Sequence, residues 1–114
     1  MTRIRLKLSP DGRVCGFEVK EHSGFAPEGE DIVCAAVSFL ATTCVNALET
    51  VAGVVPTVHQ GEGLLEVTLP ASNLNPAAKT IFAVFSQGMN DLSQAYPEHV
   101  QFVTKHFERR KSSC

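Results

Sequence analysis

Residues 3–19 contain the pattern that most restricts the fold, because they predict a β-hairpin with one apolar face. Apolar and basic side chains alternate strictly over residues 3–8, which indicates a half-buried strand. One face carries Ile4, Leu6 and Leu8, and the other carries Arg3, Arg5 and Lys7. Ser9-Pro10-Asp11-Gly12 is a strong turn sequence, and the run from Val14 to Val19 predicts the second strand of the hairpin.

Two longer segments show the apolar spacing that is typical of amphipathic helices. The first opens at Asp31 and ends before Gly53, with a stripe at Val33, Val37, Leu40, Cys44 and Leu48. The second starts within 73–76, where proline is tolerated in the first turn, and ends near Tyr96-Pro97. Its stripe is formed by Ile81, Val84, Phe85, Met89 and Leu92. Segments 54–58 and 64–69 predict a second hairpin, and 100–103 predicts a last strand.

The predicted order of elements is therefore β-β-α-β-β-α-β. Hairpins and helices in this order favour an α+β fold, a two-layer sandwich in which a largely antiparallel sheet carries two helices on one face. We expect residues 1–106 to form a single domain. Residues 107–114 form a polar, basic C-terminal tail, a kind of segment that is usually only a solvated chain end.

The charge and composition exclude several classes of protein. The 114 residues carry a net charge of -2, so the chain lacks the broad positive field that attracts nucleic acid or an anionic membrane. The N-terminus has no apolar run like that of a signal peptide, and no segment approaches the roughly 20 apolar residues that span a bilayer. We expect a cytoplasmic protein without a direct nucleic-acid or membrane partner. We also expect four reduced cysteines and, since no Cys/His set has zinc-site spacing, no metal or other cofactor.

The stretch that begins at His22 carries the parts that a cysteine nucleophile requires. After His22 comes a glycine-bearing loop, then Asp31, which is suited to cap a helix, and then Cys34 in the first turn of that helix. A helix start offers free backbone N–H groups and a positive dipole end, both of which favour a thiolate. A histidine across a loop can approach the sulfur and act as base. The competing interpretation is a buried cysteine beside an exposed histidine, and the acidic residues near Cys34 oppose its ionisation.

Four further residues of this stretch have two interpretations each. Asp31 caps the helix, or it also orients the histidine. Ser38 lies one turn beyond Cys34 on the same helix face, where it is a packing residue or part of a pocket floor. Gly24 and Gly29 are hinges of a lid over the site, or they are ordinary loop residues.

Asp31-Ile32-Val33-Cys34-Ala35-Ala36-Val37-Ser38 is a specific motif. Together with His22, the two loop glycines and Asn46-Ala47-Leu48, it resembles the ribosomal-processing cysteine protease family of bacteria. The length of the chain, the order of its elements and the distance from the histidine to the cysteine also fit this family. Glu21 and Ser23 stand where the family usually has glycine and alanine.

The resemblance implies a homodimeric protease that removes the N-terminal extension of large-subunit ribosomal protein twenty-seven during ribosome assembly. It implies Cys34 as nucleophile, His22 as general base, and an oxyanion held by backbone N–H groups at the helix start. The alternative is a non-enzymatic ribosome-associated module. A redox sensor is a weaker alternative, because Cys44 lies roughly 15 Å further along the same helix.

Overall fold

The computed structural model describes residues 1–21 and 30–103, which form a five-stranded sheet with two helices on one face. The strands are β1 (Thr2–Leu8), β2 (Val14–Glu21), β3 (Thr57–Gly61), β4 (Leu64–Thr68) and β5 (Val100–Val103). The helices are α1 (Glu30–Thr50) and α2 (Pro76–Ala95), and a 3₁₀ turn at Ala71–Asn73 precedes α2. The predicted element order and α+β sandwich are confirmed.

The strands follow the spatial order β3-β4-β2-β1-β5. All neighbouring pairs are antiparallel except β1 and β5, which run parallel. The register aligns Thr2 with Glu21 on one side and with Val100 on the other. The start of β1 therefore lies between the end of β2 and the start of β5.

Alternation along the strands separates the two faces of the sheet. The face toward the helices is apolar, and there Phe17 stacks on Phe85 with ring centroids 3.8 Å apart. The opposite face carries charged pairs between strands, one of which reaches across β2. Arg5 lies 3.7 Å from Glu18, and Lys7 donates to the carboxylate of a β4 residue, Glu66. The alternation predicted for the first strand is thus confirmed.

Helix α1 is long and apolar enough to cross a membrane by length and composition alone, over Ile32–Thr50 with a mean hydropathy of 1.7. The expectation that no segment approaches this limit is wrong for α1. The core helix of a soluble protein meets the same criterion, and one stripe of α1 packs into the core beneath the sheet. This buried stripe consists of Val33, Val37, Ala41, Cys44 and Leu48.

The start of α2 is fixed by its capping residue, Asn75. The Asn75 side-chain oxygen accepts a hydrogen bond from the Ala78 N–H at 2.8 Å, as expected for an N-cap. Its amide nitrogen donates to the Ala52 carbonyl at 3.0 Å, which ties the start of α2 to the segment after α1. Pro76 occupies the first turn, where its missing N–H is harmless.

Candidate active site

Cys34 lies one turn into α1, at a half-buried position. The helix begins at Glu30, so Cys34 is its fifth residue, and Asp31 lies inside the first turn rather than at the predicted cap position. Because helical Cα–Cβ bonds tilt toward the N-terminus, the Cys34 side chain leans over the first turn. Backbone N–H groups without a partner inside the helix lie at this end. The thiol is therefore near the positive end of the helix and is not sealed within the core.

The Cys34 sulfur contacts Thr2 at the start of β1. Its Sγ lies 3.9 Å from the Thr2 Oγ1, within hydrogen-bonding distance for sulfur. Thr2 is 1% exposed, and its backbone N–H donates to the His99 carbonyl at 2.8 Å. On its other side Thr2 pairs with Glu21, the last residue of β2. The thiol thus lies beside the strand end that immediately precedes His22 in the chain.

Three predicted site residues, His22, Gly24 and Gly29, lie outside the described residues. Their roles as base and as hinges stay predictions. Asp31 belongs to α1, but its side chain is not among the described ones, so its orienting role also stays a prediction. Only Cys34 and Ser38 of the predicted set have described side chains.

Ser38 is exposed and lines a groove of about 180 Å³ between α1 and the hairpin of β3 and β4. Thr42 lines the same helical wall, and Gly63 and Leu64 line the hairpin side. Glu21 also lines the groove, and its N–H donates to the Gly63 carbonyl at 2.9 Å. The hairpin wall is therefore hydrogen-bonded to the residue before the predicted base.

The other described cysteines lie in the core. Cys44 is 4% exposed, and burial raises the pKa of its thiol. Cys15 is fully buried. Cys34 and Cys44 are reduced thiols. Over 1–21 and 30–103, no three His, Cys, Asp or Glu side chains come together as they would to hold a metal ion.

Sequence reasoning missed Thr2 as a neighbour of the cysteine and the tip of the second hairpin as a wall of the groove. One signal for Thr2 was available in the sequence. It is a polar residue in the row of β1 that otherwise carries Ile4, Leu6 and Leu8, and a buried hydroxyl requires a partner. For the hairpin tip there was no local signal, because its position depends on the pairing of β2 with β4.

A half-buried thiol near a helix start, one turn before a residue that lines a groove, fits a cysteine protease. This chain belongs to the family described as cysteine protease Prp, whose sequence profile matches residues 1–101. It is 33% identical over 110 residues to the ribosomal processing cysteine protease Prp of Bacillus subtilis strain 168. The match covers 91% of this chain and 97% of that protein. The resemblance seen in the sequence is confirmed, and the chain is a cysteine protease.

Solved structures share the fold. The crystal structure of SMU.848 from Streptococcus mutans matches with a TM-score of 0.79 at 28% identity, over 92% of this chain and 96% of that one. Prp from S. aureus in complex with a substrate peptide matches with a TM-score of 0.83 at 20% identity, over 92% and 100% of the two chains. The same S. aureus protease with a covalently linked product peptide gives 0.77 at 20% identity, over 90% and 97%. These likenesses confirm the α+β fold.

Proposed function

We propose that this protease removes the N-terminal extension of large-subunit ribosomal protein twenty-seven, with Cys34 as nucleophile and His22 as general base. The relative in B. subtilis is named a ribosomal processing protease, which supports a ribosomal substrate. One contact supports the pair: the Cys34 sulfur lies 3.9 Å from Thr2, which pairs with Glu21, the residue before His22. Neighbouring strands and consecutive residues are only a few ångströms apart, so the chain enters the loop close to the thiol.

The reaction is acyl transfer through a thioester. Cys34 gives its proton to His22, and the sulfur attacks the carbonyl carbon of the scissile peptide bond. Asp31 orients the imidazole, and backbone N–H groups in the first turn of α1 stabilise the oxyanion. The C–N bond breaks as His22 donates its proton to the leaving amine. Water then attacks the thioester, which releases the new carboxyl group and restores the thiol.

The substrate strand lies in the groove between α1 and the hairpin of β3 and β4, which reaches Ser38, one turn beyond the cysteine. Ser38 forms part of its floor. Gly24 and Gly29 act as hinges that let their loop close over the bound strand and exclude water. Glu21 and the acidic residues of the loop favour a peptide with basic residues or a free amino terminus.

The test is a cleavage assay on a peptide that spans the extension junction. Cys34→Ala should lower kcat/KM by about 10⁴-fold or more, because the thioester cannot form. Cys44→Ala is the matched control, since it removes the other reduced thiol of α1 from the buried stripe, and kcat/KM should stay within about twofold. His22→Ala should slow acylation. Cleavage that persists in Cys34→Ala, or unchanged acylation in His22→Ala, would reject the corresponding assignment.

We further propose that the protease is a cytoplasmic homodimer. Ile32 and Phe39 are 69% and 73% exposed, and their spacing of two turns places them on one face of α1. An apolar helix face of this kind suits burial against a second copy of the chain. Light scattering on purified protein should give the dimer mass for the wild type and the monomer mass for Phe39→Asp. A monomeric wild type at micromolar concentration would refute the dimer.

A further inference from the structure

Strand β1 carries one polar side chain at its buried end. Thr2 lies on the same face as Ile4 and is 1% exposed, whereas the fully buried Ile4 is apolar. Ser9 is the other buried polar residue in the described ranges. It belongs to the hairpin turn, where its hydroxyl donates a hydrogen bond to the Asp11 carboxylate. Thr2 has no such local partner. A valine would fill the same volume without a hydroxyl to satisfy, so the hydroxyl requires an explanation of its own.

The Cys34 sulfur provides that explanation, since it is the hydrogen-bond partner of the Thr2 hydroxyl at 3.9 Å. The backbone of Thr2 is held by its hydrogen bond to His99 and by pairing with strands on both sides. A β-branched side chain has few rotamers available, so the hydroxyl is oriented by the sheet. It is in place before any charge develops on the sulfur.

We propose that Thr2 is a positioning residue for the catalytic thiol: its hydroxyl donates a hydrogen bond to the Cys34 sulfur, which fixes the orientation of the side chain and stabilises the thiolate. This inference rests on the proposed role of Cys34 as nucleophile. In the resting thiol either atom can donate. Once the proton has moved to the base, only the hydroxyl has a hydrogen to give, and the bond becomes charge-assisted and stronger.

Other ionisable groups share this end of the fold. They are the amino terminus at Met1, Glu21, His99 and the two acidic residues in the first turn of α1, Glu30 and Asp31, with His22 next in the chain after β2. Helix α2 contributes an apolar face, with Ala78, Phe82, Phe85 and Met89 buried. A substitution at Thr2 changes none of these charges, so an altered titration of Cys34 reports the hydroxyl.

The experiment compares two pairs of variants that differ by the hydroxyl. Thr2→Val is compared with the wild type, and Thr2→Ala is compared with Thr2→Ser. If Thr2→Val does not fold, the second pair still tests the role of the hydroxyl. Alkylation of Cys34 by iodoacetamide across a range of pH, read by peptide mass spectrometry, gives the pH of half-ionisation. We expect this pH to be higher by about 0.5 to 1 unit in the member of each pair without the hydroxyl. The acid limb of the pH profile of kcat/KM should shift in the same direction as the pH of half-ionisation.

The same samples contain an internal control, because the titration of Cys44 should stay unchanged in every variant. No shift at Cys34, or a shift to lower pH, would overturn the proposal. The first result would leave Thr2 a purely structural residue, and the second would mean that the thiol donates to the hydroxyl. Failure of the proposed function is seen separately, as cleavage of the peptide by Cys34→Ala.

Discussion

Replacing Gly63 with alanine should loosen the groove wall from the strand that leads to His22. Gly63 lies at the tip of the hairpin between β3 and β4, with a φ of 68°. A Cβ added there would lie 2.8 Å from the Glu21 carbonyl oxygen, and the Gly63 carbonyl accepts the Glu21 N–H at 2.9 Å. The substitution therefore acts on the residue before the proposed base and leaves Cys34 untouched.

The expected loss in the free energy of unfolding of Gly63→Ala has two parts. Substitutions at two other glycines measure these parts separately. A left-handed φ costs a residue with a side chain about 1 kcal/mol. The short approach to a backbone carbonyl adds about 1 to 2 kcal/mol, because relief of the contact weakens the hydrogen bond beside it. Gly53 has a φ of 71° and open space around an added Cβ, so Gly53→Ala isolates the first part. Gly61 has open space around an added Cβ and no left-handed φ, so Gly61→Ala should incur neither the backbone cost nor the contact cost.

Urea denaturation and the peptide-cleavage assay check this reasoning together. The free energy of unfolding should fall by less than about 0.5 kcal/mol in Gly61→Ala, by about 1 in Gly53→Ala and by about 2 to 3 in Gly63→Ala. Gly63→Ala should also lower kcat/KM by about tenfold or more, because a shifted groove wall misplaces the substrate and the base, whereas Gly53→Ala, which lies outside the groove lining, should keep it. If Gly63→Ala is as stable as Gly53→Ala and cleaves the peptide at the wild-type rate, the hairpin tip does not hold the groove.

Two further predictions concern stability. The hydrogen bond from Lys7 holds the pKa of Glu66 below its ordinary value. The Lys7–Glu66 pair therefore stabilises the fold at neutral pH. This stabilisation is lost as the pH falls from about 4.5 through the lowered pKa of Glu66. Lys7→Met should lower the free energy of unfolding by at most about 1 kcal/mol at neutral pH, and a loss of equal size in strong acid would contradict the pairing. Asn75→Ala removes the helix cap and the bond to Ala52, so urea denaturation should show a loss of about 1 to 2 kcal/mol. The exposed Asn73→Ala should lose less than about 0.5, and equal losses would contradict the capping role.

The architecture could be predicted because burial on one face leaves a local pattern. The alternation in β1 and the apolar stripe of α1 depend on neighbours in the chain, and both are confirmed. The stripe predicted for α2 is confirmed at Phe85 and Met89 but is wrong at Val84, which is 54% exposed, while Phe82 is buried in its place. The bounds were less accurate. β3 begins at Thr57 rather than Val54, and the intervening Pro56 has no N–H to give to a strand ladder. Helix α1 begins one residue before Asp31, within the usual variation of helix ends.

The site could be predicted only where its parts are local. The position of Cys34 near a helix start follows from a motif and a helical period within one segment. The contact with Thr2 joins residues 32 apart and depends on which strand ends lie under α1. The groove wall depends likewise on long-range pairing, in which Lys20 lies opposite Leu64. Strand order and register are set by the whole core, so no segment of the sequence carries them alone.

The location of Thr2 has a practical consequence for handling the enzyme. Met1 precedes it directly and is 41% exposed. A purification tag fused ahead of Met1 would emerge next to Thr2, whose hydroxyl contacts the Cys34 sulfur. Kinetic and crystallographic preparations should therefore carry the tag at another position.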